Sequence, residues 1–337
     1  MAGVSGSAHG RDLWMNKDAV RVNQIDLPAV FPSVRLLESL RAAWSIPCLM
    51  AAAIVYAGFQ VDLGTPVNNE SLDLTATLSP FVPATMLKWL FNVEAIFVHG
   101  STRGWALVAM LFLRMLCLGF AAVGIARFAA LLVNRHERSG ILRTVRFIVG
   151  SWKPVVVSTC LAMAIGLIAL MLFRIAGYFS TWGSQGPDVA SVVNIAYWLY
   201  SLGTLIVICV LLAGWLLGMA AIAVDRVDGA EALSRGISYV LSRFRRTSCY
   251  LILIGLVANI AGQVTSWAVT VSGSIARRSI SESSQTLPPL SGGFESFRNC
   301  LVECVQLSAF CCGLALAYLI LRQMIDNVDL REISDQK

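Results

Sequence analysis

Residues 195–224 contain no Asp, Glu, Lys or Arg. As a helix rising about 1.5 Å per residue, such a stretch exceeds the ~30 Å hydrocarbon core of a bilayer. Five other apolar runs accompany it, at about 42–61, 105–133, 154–179, 249–271 and 300–321. Hydrocarbon offers no partner for a backbone amide, so each run must close its own hydrogen bonds as a helix. The expected fold is all-α: a polytopic transmembrane helical bundle of about six spans, with interfacial amphipathic helices between them.

Composition excludes the soluble alternative. The 337 residues are 57% hydrophobic and 14% charged, against roughly 25% charged in soluble domains. A chain this apolar needs lipid as its solvent. Connections between the runs are too short for a separate soluble domain. Residues 31–325 therefore read as one transmembrane domain, with residues 1–30 and 326–337 as cytoplasmic tails.

The net charge is +6, and the placement of the cations gives it a meaning. Lys and Arg gather in alternate loops, which is the positive-inside pattern rather than a nucleic-acid footprint. Residues 134–153 carry Arg135, Arg138, Arg143, Arg146 and Lys153 against one acid, Glu137. The segments assigned outside hold only Lys88, Arg103, Arg277, Arg278 and Arg298. Both termini are thus expected in the cytoplasm, across a bacterial inner membrane. No cleavable signal sequence, myristoylation glycine or prenylation box is visible at the ends.

A phrase recurs before three of the spans. Arg35 precedes Trp44, Arg143 precedes Trp152 and Arg235 precedes Phe244, each by nine positions. Each stretch reads as a basic amphipathic helix, then an aromatic, then a span. The architecture suggested is three tandem helix-hairpin units, all beginning on the cytoplasmic side. The amphipathic helices are expected on the inner leaflet with their arginines reaching headgroups. Arg35, Arg143, Arg146, Arg235, Arg243, Arg245 and Arg246 are the candidate lipid contacts, and anionic inner-leaflet headgroups the expected partner. Asp225, Asp228 and Glu231 precede the arginines, where acids suit the first turns of a helix. They could recruit an unidentified protein partner.

The external segments read as irregular. Residues 62–83 are acidic, 84–100 form an interfacial or re-entrant helix, 181–194 a turn containing Pro187, and 272–299 a Ser-rich loop. Gly214 and Gly218 form a small-xxx-small pattern that permits close helix approach. Pro47, within the 42–61 run, marks a kink or restart.

Few residues suggest chemistry. Arg114 falls near the middle of its span, and an intramembrane charge is a functional candidate by default. Asn259 and Gln263 lie at similar depth, so the three make a candidate polar cluster, for an anionic solute or as a tie between two helices. Arg174 and Glu303 are a candidate ion pair at the outer leaflet. Cys300 and Cys304 are one turn apart, with Cys311 and Cys312 two turns further on, but the three histidines are scattered. The thiols read as small packing residues, and neither a metal site nor a cofactor is expected. No GxSxG, HExxH, Walker glycine loop or intramembrane aspartate pair occurs.

The run GAEALSRGISYVLSRF, residues 229–244, resembles the loop segment of several uncharacterised bacterial polytopic membrane families, in which an Ala-Leu-Ser-Arg helix precedes a span. It is also faintly similar to the coupling loop of ABC-transporter permeases, with Glu231-Ala232 followed by Gly236. In this sequence that glycine comes one residue early, and Leu233 replaces a small residue. The first resemblance implies an integral membrane protein of structural or accessory role. The second implies a transporter or permease component for a small or anionic solute. A lipid-modifying enzyme would need acids or histidines converging at one interface, and the outside offers Glu94, His99 and Glu303.

Overall fold

The computed structural model describes residues 36–60, 101–135, 141–182, 187–281 and 291–326. Among these residues the chain is entirely helical. The helices are α1 (Glu38–Ala43), α2 (Ile46–Gln60), α3 (Ser101–Arg135), α4 (Ile141–Gly150), α5 (Trp152–Trp182), α6 (Pro187–Asp225), α7 (Gly229–Ser242), α8 (Phe244–Ser281) and α9 (Ser291–Asp326). Five of them, α3, α5, α6, α8 and α9, are long and apolar enough to cross a membrane. The protein is a multi-pass membrane protein by that measure.

Helices α3, α6 and α9 pack on one another and form the centre. Each is paired with the long helix before it: α2 with α3, α5 with α6 and α8 with α9. The three central helices share an end. Arg127 of α3 donates to the Ala223 carbonyl of α6 at 3.2 Å, and Tyr318 of α9 donates to Asp225 of α6 at 2.6 Å. Near that end each is buried on every side, over residues 121–131, 214–224 and 307–321. Further away α6 is mostly exposed, with Ile195, Trp198, Leu199, Leu205 and Ile206 facing outward. A hydrophobic helix buried all round belongs to a protein core, and one exposed all round belongs in lipid.

The short helices occupy equivalent places. Helix α4 packs on α3, α7 on α6 and α1 on α9. The recurring aromatic stands at the junction in each case: Trp44 follows α1, Trp152 opens α5 and Phe244 opens α8.

Helix α7 makes the closest approach. Its numbering runs opposite to that of α6: Ala232 lies against Gly218, and Ile237 against Gly214. A Cβ on Gly218 would meet the Ala232 carbonyl oxygen at 2.9 Å, and one on Gly214 the Ile237 nitrogen at 2.9 Å. Gly236 fits between the Gly214 carbonyl and the Gly218 amide. The small-xxx-small pair therefore receives the neighbouring amphipathic helix.

Several boundaries differ from the sequence reading. The run at 42–61 is interrupted at Trp44–Ser45, and α2 begins at Ile46. Pro47 explains the restart, since its missing N–H costs nothing in a first turn. Helix α1 buries one face, with Leu36, Ser39, Ala42 and Ala43 covered and Ser308 of α9 donating to the Ala43 carbonyl at 3.1 Å, while Leu37 and Arg41 remain exposed. Helix α6 starts at Pro187, so most of the expected 181–194 turn is helical. Proline is well suited to a first helical position. The 272–299 loop is largely helix as well. Its hydroxyls bond back to carbonyls one turn earlier, as in Ser272 to Ala268 at 2.8 Å, so serine does not break the helix. Phe294 packs onto Gly273 and continues the α8–α9 contact beyond the apolar run. The tail at 1–30, the segments at 62–83 and 84–100, and Arg35 lie outside the described residues.

Candidate functional site

Among the described residues, a polar cluster lies where α6, α7 and α9 meet. Asp225 ends α6, and its side chain is only 7% exposed. A carboxylate at a helix C-terminus faces the negative end of the dipole, so it requires cations nearby. Two are present. Arg322 Nη1 of α9 lies 3.1 Å from Oδ1, an ion pair without hydrogen-bond geometry. Arg235 Nη1 of α7 lies 3.4 Å from Oδ2, which also accepts from Tyr318 at 2.6 Å.

The cluster extends along α7. Arg235 Nη2 donates to Glu231 at 2.6 Å, one turn away. That pair is exposed and contributes only about 0.3–0.5 kcal/mol; the contacts to the buried Asp225 matter more. Burial acts against the Arg235 charge, but its bonds to Glu231 and Tyr318 outweigh burial and raise its pKa. The Tyr239 hydroxyl donates to Asp326, and its ring lies 5.6 Å from that of Tyr318. Burial first, then the bond to Asp326, pushes the Tyr239 hydroxyl well above the ordinary tyrosine range. Thr247 donates to the Tyr239 carbonyl at 3.3 Å and ties in the start of α8. The cluster works as a clasp on three helix ends.

A second contact stands beside it. The guanidinium carbons of Arg127 and Arg226 lie 5.1 and 5.5 Å from the centre of the Phe147 ring. Arg226 follows α6 with φ of 55°, a left-handed conformation in which glycine is the usual residue. Phe147 of α4 thus touches the end of α6, as Tyr239 of α7 touches the end of α9.

The residues singled out from sequence are distributed as follows. Arg114 is buried within α3, whereas Gln263 is exposed and Asn259 half-buried on α8. Helix α8, which carries Asn259 and Gln263, packs chiefly along α9. Gly262, beside Gln263, accommodates Gln306 of α9. Glu303 is half-buried on α9, and the side chain of Arg174 lies outside the described residues. Arg143, Arg146, Arg243, Arg245 and Arg246 are exposed, and Arg246 also reaches Met324 at 3.5 Å. Arg235 differs from these, being engaged with the two carboxylates.

Asp225 closes α6 rather than opening α7, whose first turn contains Glu231 alone of the three acids. Cys300 and Cys304 sulfurs are 4.0 Å apart. Among the described residues no three His, Cys, Asp or Glu side chains are grouped to hold a metal ion.

Sequence reasoning missed Tyr239, Tyr318, Arg322 and Asp326. A usable signal existed: Tyr318 and Arg322 stand within one turn of the end of the 300–321 apolar run, where polar side chains must find partners. Comparison with family models, curated proteins and solved structures returns no match for this chain.

Proposed function

We propose that this chain is a structural or accessory protein of a bacterial inner membrane, without catalytic activity of its own, whose basic collar docks on anionic inner-leaflet headgroups. In this reading it has six spans, α2 being the first, and both termini are cytoplasmic. The observation that carries it is the gathering of exposed cations around the shared end of α3, α6 and α9. Arg143, Arg146, Lys153, Arg243, Arg245 and Arg246 are all exposed there. Leu142, Trp152, Leu241 and Phe244 stand exposed among them and suit the apolar side of an interface. Each such cation near an anionic surface is worth about 1 kcal/mol, and salt weakens it.

The three-unit architecture belongs to the same proposal. It is supported by the equivalent seats of α1, α4 and α7, each on the second long helix of the unit before it, with the first unit seated on the third.

The test is lipid selectivity in reconstituted vesicles, read by electron spin resonance. Spin-labelled phosphatidylglycerol should be immobilised more than spin-labelled phosphatidylcholine. The preference should vanish in high salt and when Arg143, Arg146, Arg243, Arg245 and Arg246 are all replaced by Gln. Equal immobilisation of the two lipids by the unaltered protein would remove the proposal's support.

A transport role has one specific observation in its favour, the burial of Arg114 inside an apolar span. Such a charge could neutralise an anionic solute. Arg114→Gln should then abolish anion uptake by vesicles while leaving the helical content intact.

A further inference from the structure

Helices α4 and α7 take equivalent seats, yet they face outward with different chemistry. On α4, Thr144 is buried, Phe147 and Ile148 are half-buried, and Ile148 packs onto Gly124 of α3. Another side of α4 carries Leu142, Val145 and Val149, which recur at i, i+3 and i+7 and so form one stripe. All three are exposed, Leu142 to 86%. Arg143 and Arg146 run along one edge of the stripe and are exposed too. On α7 the outward residues are Ala230, Glu231, Ser234, Ser238, Leu241 and Ser242. Only Leu241 among them is a large apolar side chain, so this face suits water.

What covers the α4 stripe follows from what it joins. The Ser151 amide donates to the Phe147 carbonyl at 3.0 Å, and the Val155 amide to the Ser151 carbonyl at 3.2 Å, so the chain bends only briefly between α4 and α5. Exposed apolar side chains run on across this junction through Trp152, Val157 and Leu161. These three belong to Trp152–Leu172, which is long and apolar enough to cross a membrane and is little covered by the rest of the protein. Acyl chains are the surroundings such a surface needs.

We propose that α4 inserts this stripe among the acyl chains of the leaflet at the shared end of α3, α6 and α9, with Arg143 and Arg146 reaching back to phosphate groups, and that α7 faces water. The stems of the two arginines bridge the two levels. An apolar face at the acyl boundary with basic residues beside it is a stable interfacial arrangement. Phe147 holds α4 from the protein side, between Arg127 and Arg226. The inference rests on the docking reading above and deepens it: the collar's cations meet headgroups, whereas α4 enters the hydrocarbon and α7 does not.

The experiment uses the full chain in phosphatidylcholine vesicles, with benzoylphenylalanine placed singly at Leu142, Val145 or Val149. Photolysis joins the benzophenone carbon to a carbon whose C–H bond lies within reach, the hydrogen passing to the ketone oxygen. Ile168, exposed within the α5 span, is the positive control, and Ser234 and Ser238 of α7 are the comparison. Lipid adducts at the three α4 positions should match those at Ile168 and exceed those at Ser234 and Ser238 severalfold, with the new bond on an acyl chain. Three positions are used so that one misfolded variant leaves two. Adduct yields no higher than at Ser234, adducts confined to the headgroup, or adducts to a second copy of the chain each overturn the proposal. Phosphatidylcholine is uncharged overall, so the two readings separate. A labelled stripe without any preference for phosphatidylglycerol removes the collar and leaves α4 inserted. The preference with an unlabelled stripe does the reverse.

Discussion

Replacing Asp225 by Asn tests the clasp most directly, because the amide keeps the shape and removes only the charge. Asp225 accepts from Tyr318 at 2.6 Å and faces Arg322 at 3.1 Å and Arg235 at 3.4 Å. Removing one member of a fully buried pair costs about 3–5 kcal/mol. The two arginine side chains are 15% and 37% exposed, so water recovers part of that loss. The Tyr318 bond to a charged acceptor is worth about 1.5–3 kcal/mol on its own. A destabilisation of about 2–4 kcal/mol is expected for Asp225→Asn. The assay is a double-mutant cycle with Tyr318→Phe, followed by denaturant unfolding in mixed micelles. The two changes should couple by about 1 kcal/mol or more, since residues in contact do not behave additively. Strict additivity, or a stable Asp225→Asn protein, would show that the Asp225 contacts hold nothing together.

Two further outcomes follow from the geometry. Gly236→Ala places a Cβ against the Gly214 carbonyl carbon and the Gly218 amide, both at 2.9 Å. Backbone cannot rotate away, so at least the ~1–3 kcal/mol of an overpacked core should be lost. Gly203→Ala is the control: its Cβ meets nothing within 4 Å, and it should gain about 0.5–1 kcal/mol in thermal unfolding. For Tyr239 the folded pKa is raised, so its stabilising contribution is complete below the ordinary 10.0 and fades as pH rises through the higher value. Ultraviolet titration should show the Tyr239→Phe protein losing one high-pH tyrosinate step and none near 10. Loss of a step near 10 instead would refute the buried hydroxyl.

What was readable from sequence was local. The apolar runs became helices, and the three aromatics at nine-residue offsets fell on helix junctions because hydrophobic periodicity and turn chemistry are short-range properties. Gly214 and Gly218 announced a close approach, but the pattern could not say which helix would fill it. The Asp225–Tyr318 bond joins residues 93 positions apart, and no periodicity reports such a pairing. The serine-rich 272–299 segment misled for a different reason. Its composition favours a loop, yet Phe294 on Gly273 gives the helices something to pack against, and packing outweighs propensity. The exposed side of α1, with Arg41, was visible in the sequence, and the α9 contact that covers its other side was not.

The seat of α1 on α9 also has a consequence for how the protein is made. Helix α1 is the first described element to be synthesised, and α9 is the last. Helix α1 packs mainly on a helix that does not exist until nearly the whole chain has been inserted, and the Ala43 carbonyl accepts from Ser308 there. The earlier hairpins can associate as they emerge, since domains and subdomains form in order of synthesis. Closure of the assembly waits for the final span. A chain interrupted before residue 291 leaves the α9-facing side of its leading helix uncovered.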